Sequence, residues 1–77
     1  MWTVYLLLCD QKIIYTGMTD NFERRLGEHK NKVSRSTKRF SDLKLIHREN
    51  FYTESEAAKR EKEIKGWSRK KKLMLIK

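Results

Sequence analysis

Two tyrosines precede an arginine and a histidine in the first part of the chain. Tyr5 and Tyr15 each lie in a run of β-branched, aromatic and aliphatic residues, which favours strands. Arg25 and His29 are four residues apart in a segment with helical spacing, so they share one face of that helix. A phenol, a guanidinium and an imidazole that meet beside a basic surface indicate chemistry on a phosphate ester.

The tyrosines and the histidine compete for the role of proton acceptor. A free phenol titrates well above neutral pH, so a tyrosine base needs cationic neighbours or a metal ion to lower its pKa. His29 titrates nearer neutral pH and is the alternative acceptor for a proton from water or from a phenol. Arg25 suits the non-bridging phosphate oxygens, because its planar fork donates two hydrogen bonds and stays charged. Arg24 is a close rival for that role.

Glu61 is the acidic residue with the strongest claim on a site. It falls on the helical stripe that holds Ala57 and Ile64, so it interrupts a face that would pack on the sheet. A carboxylate in that position needs a partner, because an unpaired buried charge is costly. The alternatives are a metal ion, an ion pair with Arg25 or a lysine, and a slight helix rotation that exposes the side chain. Glu63 lies further round the helix and is the weaker candidate.

A hairpin must position the two tyrosines. If residues 10–12 form a three-residue loop, Tyr5 lies opposite Gly17 and becomes a diagonal neighbour of Tyr15 on one face of the sheet. A two-residue loop would place the tyrosines on opposite faces. Gly17 has no side chain, which would let a backbone or a ligand approach closely beside Tyr15.

The first helix must position the arginine and the histidine. Thr19 or Asp20 is predicted to cap it. Its apolar i, i+4 pair should face the sheet, and Arg25 and His29 are displaced from that pair by about 60 degrees around the helix. We therefore expect these two residues to flank the edge of the core without being buried in it.

The rest of the chain predicts a loop, a strand and two helices. Residues 30–39, the basic loop, carry five basic residues and one apolar residue, and they predict a mobile segment. A third strand should cover about Leu43 to Phe51. The motif from Thr53 to Glu56 fits a capping box that opens a second helix, which Gly66 ends. Ser68 is predicted to cap a short last helix that holds Leu73, Leu75 and Ile76. The whole pattern predicts a single α+β domain over residues 1–77, a small three-stranded antiparallel sheet flanked by helices.

These segments resemble the GIY-YIG nuclease family. Thr3-Val4-Tyr5 stands where the first motif triplet would be, and Tyr15-Thr16-Gly17 stands where the second would be, with Thr in place of the usual Ile. The stretch 19–29 is similar to the family's helix with its Arg and His. The stretch 60–67 is similar to the helix that carries the metal-binding Glu. The resemblance extends over roughly residues 2–72 and is strongest to small stand-alone bacterial members.

The resemblance implies a metal-dependent endonuclease that hydrolyses DNA phosphodiester bonds. It implies that Tyr5, Tyr15, Arg25, His29 and Glu61 form the catalytic site and that the carboxylate binds Mg²⁺ or Mn²⁺. A single carboxylate suits magnesium, which keeps several waters and also takes substrate phosphate oxygens. Which of the three proton acceptors activates water is left open. The alternative is a nucleic-acid-binding module that keeps the fold and cleaves little.

The charge of the chain indicates a polyanionic partner. Its 77 residues include 19 Lys and Arg against 10 Asp and Glu, a net charge of +9, which favours fast electrostatic association. Backbone phosphate contacts give affinity without sequence choice, so we expect little sequence specificity. DNA is the expected partner, RNA is not excluded, and nothing indicates an oligomeric state. The candidate phosphate-contacting residues are Lys32, Arg35, Lys38, Arg39, Arg69, Lys70, Lys71 and Lys72.

Other function classes find little support. The single cysteine, Cys9, excludes an internal disulfide and is predicted to be a small core residue, and no Cys/His set has zinc-ligand spacing. His47 has no motif around it and is predicted to be structural or at the surface. The longest apolar run, from Val4 to Cys9, is far too short to span a membrane. Because no signal peptide precedes that run, we expect a cytoplasmic protein.

Overall fold

The computed structural model describes residues 1–35 and 37–75. The elements in chain order are β1 (Trp2–Cys9), β2 (Ile13–Thr19), α1 (Phe22–Lys30), β3 (Leu43–Phe51), α2 (Glu54–Lys65) and α3 (Arg69–Leu73). Within the described residues, the three strands form one antiparallel sheet in the order β2-β1-β3. The three helices of the described residues accompany the sheet, which confirms the predicted α+β architecture. In the described part of the chain, no helix is long and apolar enough to cross a membrane.

The hairpin has the predicted three-residue loop. Asp10 opens the loop with a left-handed backbone, φ 51°, which aspartate tolerates better than most residues. Tyr5 of β1 lies directly opposite Gly17 of β2. Tyr15 is therefore a diagonal neighbour of Tyr5 on the same face, as the three-residue alternative predicted.

One face of the sheet packs against α2, and we call it the α2 face. Val4 and Leu6 of β1 are fully buried there against Ala57 and Ile64 of α2, which are fully buried as well. Trp67, just beyond α2, packs against the same cluster. This face is the main aliphatic core of the protein.

The opposite face packs against α1, and we call it the α1 face. Its buried cluster consists of Tyr5, Leu7 and Cys9 of β1 together with Phe40. Phe22 and Leu26, the apolar i, i+4 pair of α1, pack against this cluster and so face the sheet as predicted. The burial of Cys9 confirms its predicted place in the core.

The N-cap of α1 lies two residues after Thr19 and one residue after Asp20, the two predicted caps. Asn21 is the N-cap, and its Oδ1 accepts a hydrogen bond from the Arg24 backbone N–H at 3.1 Å. Thr19 is still paired in β2, so it cannot cap the helix itself. Its hydroxyl instead accepts from the Asn21 N–H at 3.1 Å and thereby braces the cap.

A β-bulge interrupts the pairing of β1 with β3. Leu6 pairs with His47, whereas Leu7 pairs with Leu45, so Ile46 has no partner on β1. An extra residue reverses the alternation of side chains along the rest of the strand. As a result, Arg48, which pairs with Tyr5, lies on the α1 face.

The C-terminal helices follow the predicted capping. The Thr53 hydroxyl accepts from the Glu56 N–H, and the Glu56 carboxylate accepts from the Thr53 N–H, which completes the capping box. Gly66 ends α2, and the Ser68 hydroxyl caps α3 at 3.2 Å from the Lys71 nitrogen. Leu75 lies beyond the end of α3 and packs on the α2 face, while Ile76 is outside the described residues.

The basic loop is held by backbone hydrogen bonds in its described residues. The Val33 N–H donates to the Glu28 carbonyl at 2.9 Å, and the Lys38 N–H donates to the Ser34 carbonyl at 2.9 Å. The Phe40 N–H, just past the loop, donates to the Thr37 carbonyl at 3.0 Å. The described residues of this segment therefore form hydrogen-bonded turns, and they pack over the end of α1.

Candidate active site

The centre of the site is a contact between β1 and α1. The Tyr5 hydroxyl lies 2.9 Å from Nε2 of His29, and both side chains are buried. The hairpin register aims Tyr5 at the α1 face, and the helical phase brings His29 over it. The two residues are 24 positions apart, so the fold alone creates this pair.

Aromatic rings enclose the phenol and the imidazole. The Tyr15 ring lies 6.3 Å from the Tyr5 ring and 5.4 Å from the His29 ring, measured between centroids. Phe22 makes an edge contact with the Tyr5 ring at 5.9 Å. Both tyrosines and the histidine therefore meet in one cluster, as the sequence predicted. Tyr15 is half-buried and is the more accessible of the two phenols.

Gly17 makes room for the Tyr5 phenol. A Cβ atom at this position would lie 2.6 Å from the Tyr5 hydroxyl oxygen and 3.0 Å from a ring carbon of Tyr15. The first distance is shorter than any real Cβ contact, and the second is unusually tight. The expected close approach beside Tyr15 is therefore real, but the group that uses the space is the Tyr5 side chain.

His29 is fully buried, and the prediction that it only flanks the core is wrong. The helical phase was correct, but the basic loop folds over the end of α1 and covers the imidazole. Nδ1 of His29 lies 2.6 Å from the Thr37 hydroxyl, and Thr37 is fully buried as well. Burial lowers the pKa of His29, and the Arg25 charge lowers it further, so the imidazole is neutral at pH 7.

Burial also raises the pKa of Tyr5, to about 12. The Arg25 guanidinium interacts with the phenol and opposes this shift, because a nearby cation favours the phenolate. The Glu61 carboxylate adds a smaller contribution that raises the pKa. The charges of Arg25 and Glu61 therefore both act on the pKa of the Tyr5 phenol, although Glu61 belongs to α2, which packs on the other face of the sheet.

The structure separates Arg25 from its rival Arg24. Both pair with Glu28 on the same helix, Arg25 at 3.2 Å and Arg24 at 3.9 Å. The Arg24 side chain is 64% exposed, whereas that of Arg25 is 38% exposed. Nε of Arg25 is buried and finds no hydrogen-bond partner among the described residues. Arg25 therefore lies against the tyrosine–histidine pair, and Arg24 points to solvent.

Glu61 lies at the edge of the α2 face, with its side chain 20% exposed. Its ion pair is with Lys65, at 3.4 Å, which matches the lysine alternative rather than a pair with Arg25. Lys65 is more than half exposed, so this pair contributes little and does not occupy the carboxylate firmly. Within the described residues, no group of three or more His, Cys, Asp and Glu side chains forms a metal cage.

Glu63 belongs to a different network. Arg60 donates to Glu63 at 2.6 Å and holds Glu49 with two hydrogen bonds at 2.8 and 3.1 Å. Nε2 of His47 lies 2.8 Å from the same Glu49 carboxylate. Arg60 holds the pKa of Glu49 below its usual range. This network ties β3 to α2, which agrees with the structural role predicted for His47 and leaves Glu61 as the freer acid.

The predicted phosphate contacts fall into two groups. The basic loop carries Arg35, Lys38 and Arg39, and all three are exposed on the same side as α1. The other group is α3, which lies near Trp67 on the α2 side of the sheet. Lys32 turns inward and donates to the carbonyls of Phe40 and Ser41, and Lys71 stacks on the Trp67 ring at 4.7 Å. Arg69, Lys70 and Lys72 complete the second group.

Two residues near the site were missed by sequence reasoning. Thr37 has no motif around it and is recognisable only once the basic loop is seen to fold onto His29. Arg48 stacks on the Phe22 ring at 4.8 Å and pairs across the sheet with Tyr5. Its position depends on the bulge at Ile46, which no pattern in the sequence predicts.

Comparison with known proteins agrees with this geometry. A family model described as the GIY-YIG catalytic domain matches residues 1–74. A UPF0213 protein of Syntrophus aciditrophicus is 45% identical over 76 residues, covering 96% of this chain and 87% of the relative. A UPF0213 protein of Staphylococcus saprophyticus is 42% identical over 74 residues, covering 95% of this chain and 90% of the relative.

A solved structure has the same fold. The solution NMR structure of a UPF0213 protein from Bacillus halodurans matches with a TM-score of 0.62 at 34% identity, covering 97% of this chain and 82% of that one. The family match and the sequence relatives cover nearly the whole chain, and the solved structure shares its fold. The chain therefore belongs to the GIY-YIG nuclease family.

Proposed function

We propose that this chain is a metal-dependent endonuclease that hydrolyses DNA phosphodiester bonds with little sequence specificity. We also propose that residues 1–77 form a single nuclease domain. The observation that carries the proposal is the buried contact between Tyr5 and His29, with Arg25 interacting with the same phenol. A purely structural tyrosine needs no neutral imidazole and no unpaired guanidinium nitrogen beside it.

The proton path follows from the hydrogen bonds of the pair. Both ring nitrogens of His29 are engaged by Tyr5 and Thr37, so neither is free to accept a proton from water, whereas the Tyr5 oxygen keeps a lone pair beyond its bond to Nε2. A tyrosine hydroxyl is therefore the group that takes the proton from the attacking water. Tyr5 passes its own proton to Nε2 of His29 as it does so, and Tyr15 lines the more open side of the cluster and orients the water.

Arg25 acts on the phosphate. Its buried Nε lacks a hydrogen-bond partner within the described residues, and its ion pair with Glu28 is partly exposed. The guanidinium therefore has N–H donors available for an anion. Charge on the scissile phosphate grows in the transition state, and a fixed cation stabilises it there. The same cation favours the phenolate form of Tyr5 and so assists deprotonation of the water.

Glu61 fits the family's metal requirement. Its carboxylate is partly exposed, is weakly paired with Lys65, and is close enough to Tyr5 to act on its pKa. One carboxylate of this kind suits Mg²⁺ or Mn²⁺, which fills its remaining positions with water and substrate oxygens. When bound, such an ion supplies Lewis-acid stabilisation of the leaving oxygen.

The basic loop is proposed as the main phosphate-contacting surface. Arg35, Lys38 and Arg39 lie on the same side of the sheet as the tyrosine cluster. The lysines of α3 lie across the sheet, so DNA in the site reaches them only around the edge of the domain. If Lys70 and Lys71 each make one phosphate contact, neutralising both reduces the slope of log affinity against log salt concentration by about two units. Neutralising Arg35 and Lys38 is the matched comparison.

One observation favours a second candidate, a nucleic-acid-binding module that cleaves little. The pKa of Tyr5 is raised to about 12, which keeps the phenol protonated, so little phenolate is available to accept a proton in the absence of substrate and metal. Such a module would bind nucleic acid in a salt-sensitive way and release no products.

A cleavage assay separates the two candidates. Supercoiled plasmid, single-stranded DNA and RNA are each incubated with the protein in Mg²⁺ or Mn²⁺ and then in chelator. Nicking that requires metal supports the endonuclease. Products from RNA alone would show that the substrate is RNA rather than DNA. Salt-sensitive binding without products in any metal would establish the module instead.

The matched variants are Glu61→Gln and Glu63→Gln. The first removes the ligand charge at nearly constant shape, so we expect binding to persist and cleavage to be lost. The second removes a carboxylate from the same helix that is 57% exposed and paired with Arg60, so cleavage should persist. Undiminished cleavage by Glu61→Gln would exclude Glu61 as the ligand.

A further inference from the structure

Thr37 makes a buried contact at the far end of the tyrosine–histidine pair. Its hydroxyl oxygen lies 2.6 Å from Nδ1 of His29, and the opposite ring nitrogen lies 2.9 Å from the Tyr5 hydroxyl. Thr37 and His29 have no exposed surface. Three buried polar groups thus form one hydrogen-bonded chain, Tyr5 to His29 to Thr37.

The backbone around Thr37 is fixed on both sides. Its N–H donates to the Ser34 carbonyl at 3.3 Å, and its carbonyl accepts from the Phe40 N–H at 3.0 Å. Phe40 is itself buried in the cluster of the α1 face. The hydroxyl is therefore held at His29 by the fold of the basic loop.

A neutral imidazole carries its proton on one nitrogen only, so the chain has two possible directions. With the proton on Nδ1, His29 donates to the Thr37 oxygen, and Nε2 accepts from the Tyr5 hydroxyl. With the proton on Nε2, His29 donates to the Tyr5 oxygen, and the Thr37 hydroxyl donates to Nδ1. Only the first direction leaves a base facing the phenol.

The two ends of the chain decide between these directions. Among the described residues, His29 is the only hydrogen-bond partner of both the Tyr5 hydroxyl and the Thr37 hydroxyl, so whichever hydroxyl accepts from the imidazole keeps a buried proton without an acceptor, which is costly. A phenol is a stronger acid than an aliphatic alcohol and is therefore the stronger hydrogen-bond donor, and the nearby Arg25 cation strengthens it further. Leaving the phenol proton unpaired costs more, which favours the proton on Nδ1.

We propose that Thr37 is a positioning residue, whose hydroxyl oxygen accepts the Nδ1 proton of His29 and so keeps Nε2 as the acceptor for the Tyr5 phenol. The catalytic consequence rests on the proposed nuclease function, because the acceptor matters only if Tyr5 gives up its proton. The tautomer itself is a property of the folded protein and is measurable without substrate.

The test reads the tautomer by NMR of ¹⁵N-labelled protein, through correlations between the ring nitrogens and the ring carbon-bound protons. The chain has two histidines, so His47→Gln assigns the signals of His29. We expect a protonated Nδ1 and an unprotonated Nε2 in the unsubstituted protein. Thr37→Val, nearly equal in shape, removes the acceptor and should move the proton toward Nε2, whereas Thr37→Ser should preserve the original tautomer.

Cleavage supplies the second readout. Thr37→Val should lower kcat on the order of tenfold, as expected when the outer partner of a functional histidine is lost. Its affinity for DNA should be unchanged, and Thr37→Ser should restore kcat. A cleavage rate that Thr37→Val leaves intact while the tautomer moves would overturn the catalytic part of the proposal.

Two tautomer results overturn the positioning role outright: a protonated Nε2 in the unsubstituted protein, or a tautomer that Thr37→Val leaves in place. If Thr37→Val does not fold, the first of these results is still read from the unsubstituted protein, and a protonated Nε2 in Thr37→Ser would overturn the positioning role as well. If the protein cleaves no nucleic acid but the tautomers behave as expected, the nuclease proposal fails and the positioning of His29 stands.

Discussion

The two faces of the sheet are built on opposite physical terms. On the α2 face, β1 contributes Val4 and Leu6 to an aliphatic cluster with Ala57 and Ile64. On the α1 face, the same strand contributes Tyr5 to a chain of buried polar atoms that runs through His29. Alternation along one strand thus separates the residues that stabilise the fold from those proposed to do chemistry.

This difference between the faces predicts how substitutions on each of them affect stability and activity. Aliphatic contacts are non-directional, so the α2 face tolerates small shifts with graded losses of stability. Buried polar groups need partners in defined directions, so a shift on the α1 face breaks the pairing abruptly. Substitutions on the α1 face should therefore change activity far more than those on the α2 face.

Arg25→Gln should give the largest effect on the α1 face. Removing the fixed cation is expected to lower kcat on the order of 100-fold, because stabilisation of charge in the transition state is lost. Arg24→Gln removes an equal charge from the next position, where the side chain is 64% exposed, and should leave kcat nearly unchanged. Plasmid nicking at saturating DNA measures both. The reverse ranking would show that the phase assigned to α1 is wrong.

Gly17→Ala should break the site by crowding it. The added methyl would lie 2.6 Å from the Tyr5 hydroxyl oxygen, so the phenol must leave its position at His29. A displacement of this size is expected to cost about 100-fold in kcat. Gly27→Ala is the matched control, because its Cβ would meet nothing within 4 Å and should raise helix stability by up to about 1 kcal/mol. Equal activity of the two variants would contradict the crowding argument.

Replacing threonine by valine should change the free energy of unfolding in opposite directions at two positions of β2, one on each face of the sheet. Thr16 pairs with Leu6 on the α2 face, and its buried hydroxyl has no hydrogen-bond partner in the described part of the chain. Thr16→Val should therefore raise the free energy of unfolding by about 1 kcal/mol. Thr19, on the α1 face, braces the cap of α1, so Thr19→Val should lower it by about 1 kcal/mol. Urea unfolding measures both, and shifts of the same sign would contradict the comparison.

As the pH falls, the α1 face should lose its contribution to the free energy of unfolding before the α2 face does. The pKa of His29 is lower in the folded than in the unfolded chain, so the unfolded chain binds the proton first as pH falls. The free energy of unfolding should thus begin to fall near the ordinary histidine pKa of 6.5 and stop falling once folded His29 is protonated. Glu49, whose pKa is also lowered, loses its contribution only below its ordinary value of 4.5. An NMR titration in which His29 titrates at or above 6.5 would overturn the first step.

The parts of the fold that depend on local chemistry were predictable from the sequence. The capping box at Thr53 and the cap at Ser68 involve residues three positions apart, so their patterns are visible in the chain. The hairpin register depended on the length of one loop, for which the sequence offered two or three residues, and the three-residue alternative places Tyr5 opposite Gly17 as the structure has it. The grouping of the tyrosines with the Arg–His helix depended on that register and on a simple helical phase.

The parts that depend on distant packing were not predictable. The burial of His29 requires the basic loop to fold back over α1, and polar residues such as Thr37 carry no signal of burial. The cap of α1 moved to Asn21 because β2 continues through Thr19, and the length of a strand is decided by its partner. The choice of Lys65 over Arg25 as the partner of Glu61 depends on which face of the sheet α2 covers.

The bulge at Ile46 has a consequence for association between molecules. β3 is an edge strand of the sheet, and an edge strand with a regular, unpaired row of N–H and C=O groups invites pairing with a second chain. The extra residue bends and twists the strand, and exposed Lys44 and Arg48 flank it with positive charge. The irregularity that brings Arg48 beside the site therefore also disfavours edge-to-edge aggregation, and deleting Ile46 would straighten the edge while leaving Arg48 paired with Tyr5 on the α1 face.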